Sequence, residues 1–220
     1  MEKKILILAG PSAVGKSTVA DALVAGGRFG LVRSVTTRER RDDPHDGEYF
    51  YVDEEEFSRM IADGELIEHS GFTGHRYGTP AAEIVRIEEE GKLPLLILDA
   101  DGVRAFRAST YADRTYAVYL YGDLNRMEER LYARELSATP TVEALLRFTS
   151  RKERNMEDYL SLAEKADLFD LFLPCEDVGV CTGQILSSMA GSASQTEEEK
   201  EKIIRPLVAM AEEKKNYRAQ

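Results

Sequence analysis

The apolar runs Ile5 to Ala9, Pro94 to Leu98 and Tyr116 to Tyr121 have no polar face. Such runs predict buried strands of a parallel sheet. Leu31 to Thr36 and Leu168 to Leu173 are further strand candidates. Helical patterns cover Gly15 to Ala25, with Val19, Ala22 and Leu23 on one face, then Leu124 to Arg134, Val142 to Ala163 and Val178 to Met189. Buried strands alternating with helices predict an α/β fold built on a parallel core sheet.

One region breaks this rhythm. Arg38 to Gly47 is charged, contains Pro44 and reads as a loop. Glu48 to Val52 has strand composition, and Asp53 is an N-cap candidate for a helix to Ala62, with Glu55 and Glu56 in its first turn. Leu66 to Ser70 and Thr73 to Tyr77 read as short strands joined through Gly71. Thr79-Pro80 opens a helix to about Glu90, with proline at its first position. The shorter, more polar strands from Glu48 to Tyr77 predict a small mixed subdomain inserted after the first strand–helix unit. Gly191 to Gln195 reads as a linker. Thr196 to Gln220 is a charged helical pattern whose stripe of Ile203, Ile204, Leu207, Val208 and Met210 suits packing on the domain or on a second subunit.

Composition narrows the function classes. The chain has 220 residues and a formal net charge of −11. That argues against general binding to nucleic acid or to an anionic membrane, which need a basic surface. No apolar run approaches the ~20 residues that span a bilayer, and Cys175 and Cys181 are too few for a disulfide framework. A cytoplasmic protein with buried or free thiols is expected, and either a monomer or a homodimer is compatible with the sequence. His45, His69 and His75 have no partner spacing that indicates a ligand.

The first strand runs into Gly10-Pro-Ser-Ala-Val-Gly15-Lys16-Ser17-Thr18, which satisfies G-x-x-x-x-G-K-[ST] between a strand and a helix. Glycines there let backbone N–H groups and the helix N-terminus face phosphate oxygens. Lys16 supplies a point charge to the β- and γ-phosphates, and the Ser17 hydroxyl suits Mg²⁺. The loop predicts binding of a nucleoside triphosphate through Gly10, Ser12, Ala13, Val14, Gly15, Lys16, Ser17 and Thr18.

A second anion site is expected at Ser34-Val-Thr-Thr-Arg38-Glu-Arg40-Arg41, because arginine suits bidentate phosphate binding. With this segment the chain resembles the guanylate kinase family. The matching pieces are G-P-S-x-x-G-K-S-T at Gly10 to Thr18, S-x-T-T-R-x-x-R at Ser34 to Arg41 and G-x-Y-x-[FY]-V at Gly47 to Val52. Further pieces are F-x-x-M-I-x-x-G-E-L-I-E at Phe57 to Glu68, Y-G-T-P at Tyr77 to Pro80 and L-D-x-D at Leu98 to Asp101, in order over about residues 4 to 190. The resemblance implies a P-loop NTPase fold with an inserted nucleotide-binding subdomain and a helical lid, and phosphoryl transfer from MgATP to GMP. It implies that Arg38, Arg41, Tyr49 and Tyr77 hold the GMP phosphate, and that Ser34, Glu68, Thr79 and Asp101 hold the guanine. Glu68 has independent support: guanine presents N1–H and N2–H₂ as adjacent donors, and one carboxylate accepts both.

Arg126, Arg130 and Arg134 share one helix face, and Arg147, Arg151 and Arg154 share another. By resemblance these belong to a lid, with Arg134, Arg147, Arg130 and Arg151 acting beside Lys16 on the transferred charge. Each is equally compatible with ion pairing to Glu128, Glu129, Glu143 or Glu153. Asp99 and Asp101 are expected to end a buried strand at the carboxyl edge of the sheet, and Asp99 is the candidate acidic partner of Mg²⁺. The expected organisation is a core of 1–32, 80–125 and 155–194, an acceptor subdomain at 33–79, a lid at 126–154 and a separate helix at 195–220. The chain departs from the family pattern in several places. Gly102-Val-Arg104 follows Asp101 without the usual glutamine, and Cys175-Glu176 replaces an asparagine–aspartate pair near the adenine. The rival readings are a related kinase acting on an acceptor such as ribose 1,5-bisphosphate, and a non-catalytic binding domain of the same family. The latter typically has a degraded phosphate loop.

Overall fold

The computed structural model describes residues 5–40, 47, 49–72, 74–137, 140–191 and 194–218. Two compact units emerge: Met1–Leu8 with Ala20–Tyr116, and Ala9–Val19 with Ala117–Gln220. The architecture is α/β, with five strands in a parallel core sheet and four in a separate mixed sheet.

In the first unit, β1 (Ile5–Ala9) and β2 (Phe29–Leu31) both pair in parallel with β7 (Leu93–Ile97). Every residue of β1 is buried, as its uninterrupted apolar run requires. The mixed sheet has the order β4-β3-β6-β5, formed by β3 (Ser34–Thr36), β4 (Tyr49–Tyr51), β5 (Leu66–Phe72) and β6 (His75–Pro80). Asp53 caps α2 (Glu54–Ala62), accepting from the Glu56 N–H, as its position predicts.

Four expectations for this unit need correction. Leu31 to Thr36 is not one strand but the end of β2 and the whole of β3, in different sheets. The Val32 N–H still bonds the Leu95 carbonyl. Arg33 then turns to Glu83, and the chain leaves the core sheet. Gly71 lies inside β5, and the reversal falls near Gly74, whose φ is +79°. Pro80 ends β6 instead of starting a helix, because the Ala81 N–H bonds Glu65 and holds Pro80 extended; α3 runs Ala81–Glu89. Asp99 and Asp101 do not end a strand. Asp99 caps an unanticipated helix, α4 (Ala100–Ala108), by accepting from the Gly102 N–H at 2.9 Å, and Asp101 stands in its first turn.

In the second unit, β8 (Thr115–Tyr121) pairs in parallel with β9 (Leu171–Pro174). Around them lie α5 (Leu124–Leu136), α6 (Val142–Leu160), α7 (Val178–Gly191) and α8 (Glu197–Arg218); α1 (Lys16–Ala25) follows the phosphate loop. Helix α6 stops at Ser161 and a 3-10 segment, Leu162–Leu168, follows, so β9 starts later than Leu168. Gln195 is no slack linker residue. Its side chain accepts from the Phe172 N–H and donates to the Phe172 carbonyl, pairing with β9 as a neighbouring strand would.

The apolar stripe of α8 packs within this unit, against α6, the 162–168 segment and β9. Ile204, Leu207 and Ala211 are buried, and Lys200 reaches the Ala166 carbonyl. Lys214 pairs with Glu128 of α5 at 2.7 Å, a carboxylate that Lys152 of α6 also contacts. Among the described residues no helix is long and apolar enough to cross a membrane. Leu207→Ala is expected to cost about 2–4 kcal/mol in urea unfolding; an unchanged midpoint would show that α8 is dispensable to this unit.

Candidate functional site

The phosphate loop of the second unit has a shape that only its sequence permits. Gly10 has φ +135°, and a Cβ there would meet the Leu120 carbonyl oxygen at 2.1 Å. Gly15 has φ +120°. Ala13 also lies in the left-handed region, at φ +63°, at a cost of order 1–2 kcal/mol. Asn155 of α6 pins the loop from both sides: its Oδ1 accepts from the Ser12 N–H at 2.7 Å and its Nδ2 donates to the Ser12 carbonyl at 2.9 Å. Arg130 of α5 donates to the carbonyls of Ala13 and Val14, both at 3.3 Å.

Lys16 folds back over this loop, donating to the carbonyls of Gly10 at 2.7 Å and Pro11 at 2.8 Å. Burial lowers its ammonium to a pKa of about 8 against the attraction of Asp158, and the charges of Arg134 and Arg151 push it the same way as burial. Ser17 follows Lys16 in the first turn of α1 and is half-buried, and Thr18 is exposed. Arg134, Arg147 and Arg151 converge on one carboxylate, Glu135, at 3.1, 3.1 and 3.6 Å. Burial would raise the Glu135 pKa, but the three guanidinium groups outweigh it and hold the carboxylate below its ordinary value.

In the first unit, one face of the mixed sheet carries the acceptor candidates. Strand pairing places Ser34 beside Tyr49 and Thr36 beside Tyr51, Thr36 opposite Tyr77, and Glu68 opposite Thr79. Continued by one residue, the β3–β6 register sets Ser34 opposite Thr79. Residues two apart on a strand share a face, so Tyr49, Ser34, Thr79 and Glu68 form one row and Tyr51, Thr36 and Tyr77 the next. The Arg38 guanidinium lies 5.4 Å from the Tyr49 ring centre and 5.6 Å from that of Tyr51, and donates to Tyr51 Oη at 3.2 Å. Tyr49 and Tyr77 meet edge to face at 6.1 Å. Arg41 lies outside the described residues.

Glu68 and Thr79 are buried, and Thr79 Oγ1 donates to Glu68 Oε1 at 2.6 Å. Burial raises the Glu68 pKa to about 7; the Thr79 hydrogen bond opposes the rise and the charge of Asp99 adds to it. Asp101 is not drawn into this row: its carboxylate is exposed and paired with Arg104 at 2.7 Å. Asp99 is exposed, and its Oδ1 caps α4. Among the described residues no three His, Cys, Asp or Glu side chains cluster as a metal cage. Ser17 in its unit and Asp99 in the other are each a lone oxygen donor, a donor set that suits an ion held mainly by phosphates.

Sequence reasoning missed three contributors. Tyr51 was signalled by its i, i+2 spacing from Tyr49. Asn155 and Glu135 carried no comparable signal.

The sequence profile of the guanylate kinase family matches residues 2–172. A guanylate kinase of Lactobacillus johnsonii is 32% identical over 158 residues, covering 70% of this chain and 77% of the relative. That of Anaplasma phagocytophilum is 31% identical over 186 residues, covering 80% and 89%. The crystal structure of guanylate kinase from Anaplasma phagocytophilum matches with a TM-score of 0.62 at 23% identity, covering 87% of each chain. That structural likeness concerns the fold.

Glu68 generates a pH prediction. A carboxyl whose folded pKa is raised stabilises the fold below its unfolded value, and that contribution is lost as pH rises through the folded value. Between about pH 4.5 and 7 the ligand-free protein should lose on the order of 3 kcal/mol from this group. Glu68→Gln should remove that slope in urea unfolding at a series of pH values; parallel curves for the two proteins would refute the perturbed carboxyl.

Proposed function

The chain belongs to the guanylate kinase family of nucleoside monophosphate kinases, and from that premise we propose that it transfers the γ-phosphoryl group of MgATP to GMP, giving ADP and GDP in the cytoplasm. Residues 10–18 are the triphosphate loop, 33–79 the acceptor subdomain and 126–154 the lid. The observation that carries the reading is the row of Ser34, Thr79 and Glu68 beside Arg38, Tyr49 and Tyr77 on one sheet face.

A base edge with two adjacent donors satisfies the Glu68 carboxylate, and Thr79 already fixes one of its oxygens. Adenine lacks that donor pair and would leave the buried carboxylate with Thr79 as its one named donor, which rejects the wrong base. Arg38 offers a fork-shaped donor to the acceptor phosphate, and Tyr49 and Tyr77 bracket it; Arg41 completes the phosphate set, and Asp101 would have to leave Arg104 to join the guanine. A ribose bisphosphate has sugar hydroxyls but no planar pair of N–H donors to set against Glu68.

Phosphoryl transfer needs alignment, exclusion of water and neutralised charge more than covalent chemistry. Lys16 exchanges its loop carbonyls for the β- and γ-phosphate oxygens. Arg134, Arg147, Arg130 and Arg151 turn to the moving group as the lid closes. Ser17 and Asp99 are the side chains that would hold Mg²⁺ alongside the phosphates, and the ion would supply withdrawal of charge from the phosphoryl oxygens. No covalent enzyme intermediate is involved.

The test is ADP release from MgATP with GMP, AMP, CMP, UMP and ribose 1,5-bisphosphate as separate acceptors. Activity with GMP alone supports the reading, activity with the ribose bisphosphate alone overturns the guanine assignment, and GMP binding without turnover favours a non-catalytic binding domain. Lys16→Ala should lower turnover by about a hundredfold or more with the fold intact, and near-normal turnover would remove Lys16 from the reaction. Glu68→Gln turns one acceptor atom into a donor and should weaken GMP by about tenfold or more while leaving ATP nearly unchanged; calorimetric titration of both nucleotides checks it.

A further inference from the structure

Helix α8 lies beyond residues 2–172, the span that the family profile matches, yet its last turns reach the helices that support the phosphate loop. Lys200, Ile204, Leu207, Ala211 and Lys214 recur at alternating spacings of four and three, which sets them on one helix face. The first four are buried. Lys214 continues that face: its side chain is 21% exposed, where those of Lys202 and Arg205, off the face, are 70% and 82% exposed. A lysine stem laid along a packed face limits where its ammonium can end.

That ammonium ends on α5. Lys214 Nζ lies 2.7 Å from Glu128 Oε2 and donates to Asn125 Oδ1 at 2.5 Å. The other Glu128 oxygen, Oε1, accepts from Lys152 of α6. One carboxylate thus joins three helices, with each of its oxygens on a cation from a different one. All three side chains are mostly withdrawn from solvent, so the attraction is screened less than in an exposed surface pair.

The same two helices carry the loop's clamps. Arg130, two residues after Glu128 on α5, donates to the Ala13 and Val14 carbonyls. Asn155, one turn after Lys152 on α6, holds both the N–H and the carbonyl of Ser12. Lys214, Glu128, Lys152 and Asn155 line one small cleft, so the ion network and the Ser12 clamp are neighbours. Asn155 is buried and both ends of its amide are committed to Ser12. Hydrogen bonds tolerate little change in distance or angle. A shift of α6 against α5 therefore breaks the Ser12 bonds or moves the loop.

We propose that α8 is a positioning element of the triphosphate site, with Lys214 as its acting residue. Through Glu128, Lys214 fixes α5 against α6 near the two clamps, Arg130 and Asn155, and so keeps residues 12–14 in the shape that meets the phosphates. Lys214 itself touches no nucleotide. An ion pair of this kind adds little to global stability, so its loss is read at the loop and not in unfolding. The effect on ATP rests on reading residues 10–18 as the triphosphate loop; the link from Lys214 to the Ser12 clamp does not.

The experiment compares the full chain with Lys214→Met, which keeps an apolar stem and removes the charge. Calorimetric titration with MgATP and, separately, with GMP reads affinity without turnover. Amide hydrogen exchange followed by NMR reads Ser12, whose N–H is held by Asn155. Lys214→Met should weaken ATP by about 2- to 30-fold, the range for coupling through a packed network. It should also speed exchange at Ser12 and leave GMP affinity unchanged. Lys214→Arg, which keeps the cation, should restore both. In a Glu128→Gln background Lys214→Met should add nothing further. Lys214→Gln serves if the methionine variant does not fold. Unchanged Ser12 exchange would overturn the link to the clamp, and unchanged ATP affinity its bearing on the site. Equal weakening of ATP and GMP with a lowered urea midpoint would also overturn the proposal, since it marks a general loss of stability. If the parent chain bound no ATP, the triphosphate reading alone would fail, and Ser12 exchange would still decide the link to α8.

Discussion

A loop that offers N–H groups to an anion can spend few of them on its own folding. Residues 10–18 bond among themselves through the Val14 N–H and the Lys16 ammonium, and take the rest of their shape from elsewhere. Asn155 holds Ser12 by two bonds, Arg130 holds the carbonyls of Ala13 and Val14, and the Leu120 backbone leaves no room beside Gly10 for anything larger than hydrogen. These supports come from β8, α5 and α6, so the second unit is organised around keeping one short loop in an unfavourable conformation.

The first unit meets a different constraint, that of carrying polar recognition groups on a buried surface. It does so with the period-two geometry of a small mixed sheet. Glu68 and Thr79 satisfy one another across a strand pair, and Arg38 lies against tyrosine rings instead of facing an apolar core. The cost appears in Glu68, whose carboxyl is shifted toward neutrality.

Sequence carried much of this, unevenly. The phosphate loop is legible because its backbone conformation demands glycine at fixed spacings. The acceptor residues are legible as motif pieces, but their common face appears only with the strand register. The division of Leu31 to Thr36 between two sheets depends on distant partners, Leu95 and Glu83, and leaves no local trace. Helix α4 escaped notice because Gly102, Arg104 and Arg107 dilute its apolar pair, Val103 and Phe106; the Asp99 cap was the available signal. Asn155 looks like any polar residue of a solvated helix face. Glu135, next to Arg134 in sequence, gives no hint that Arg147 and Arg151 come to it from α6.

That carboxylate changes what the arginines present to an incoming anion. The ligand-free protein does not present three bare cations; it presents a cluster already partly neutralised by Glu135. An anion arriving there competes with that carboxylate for the same guanidinium donors and meets a smaller net charge than three arginines would give. An acidic protein can thus gather several arginines in one place without becoming an indiscriminate trap for polyanions.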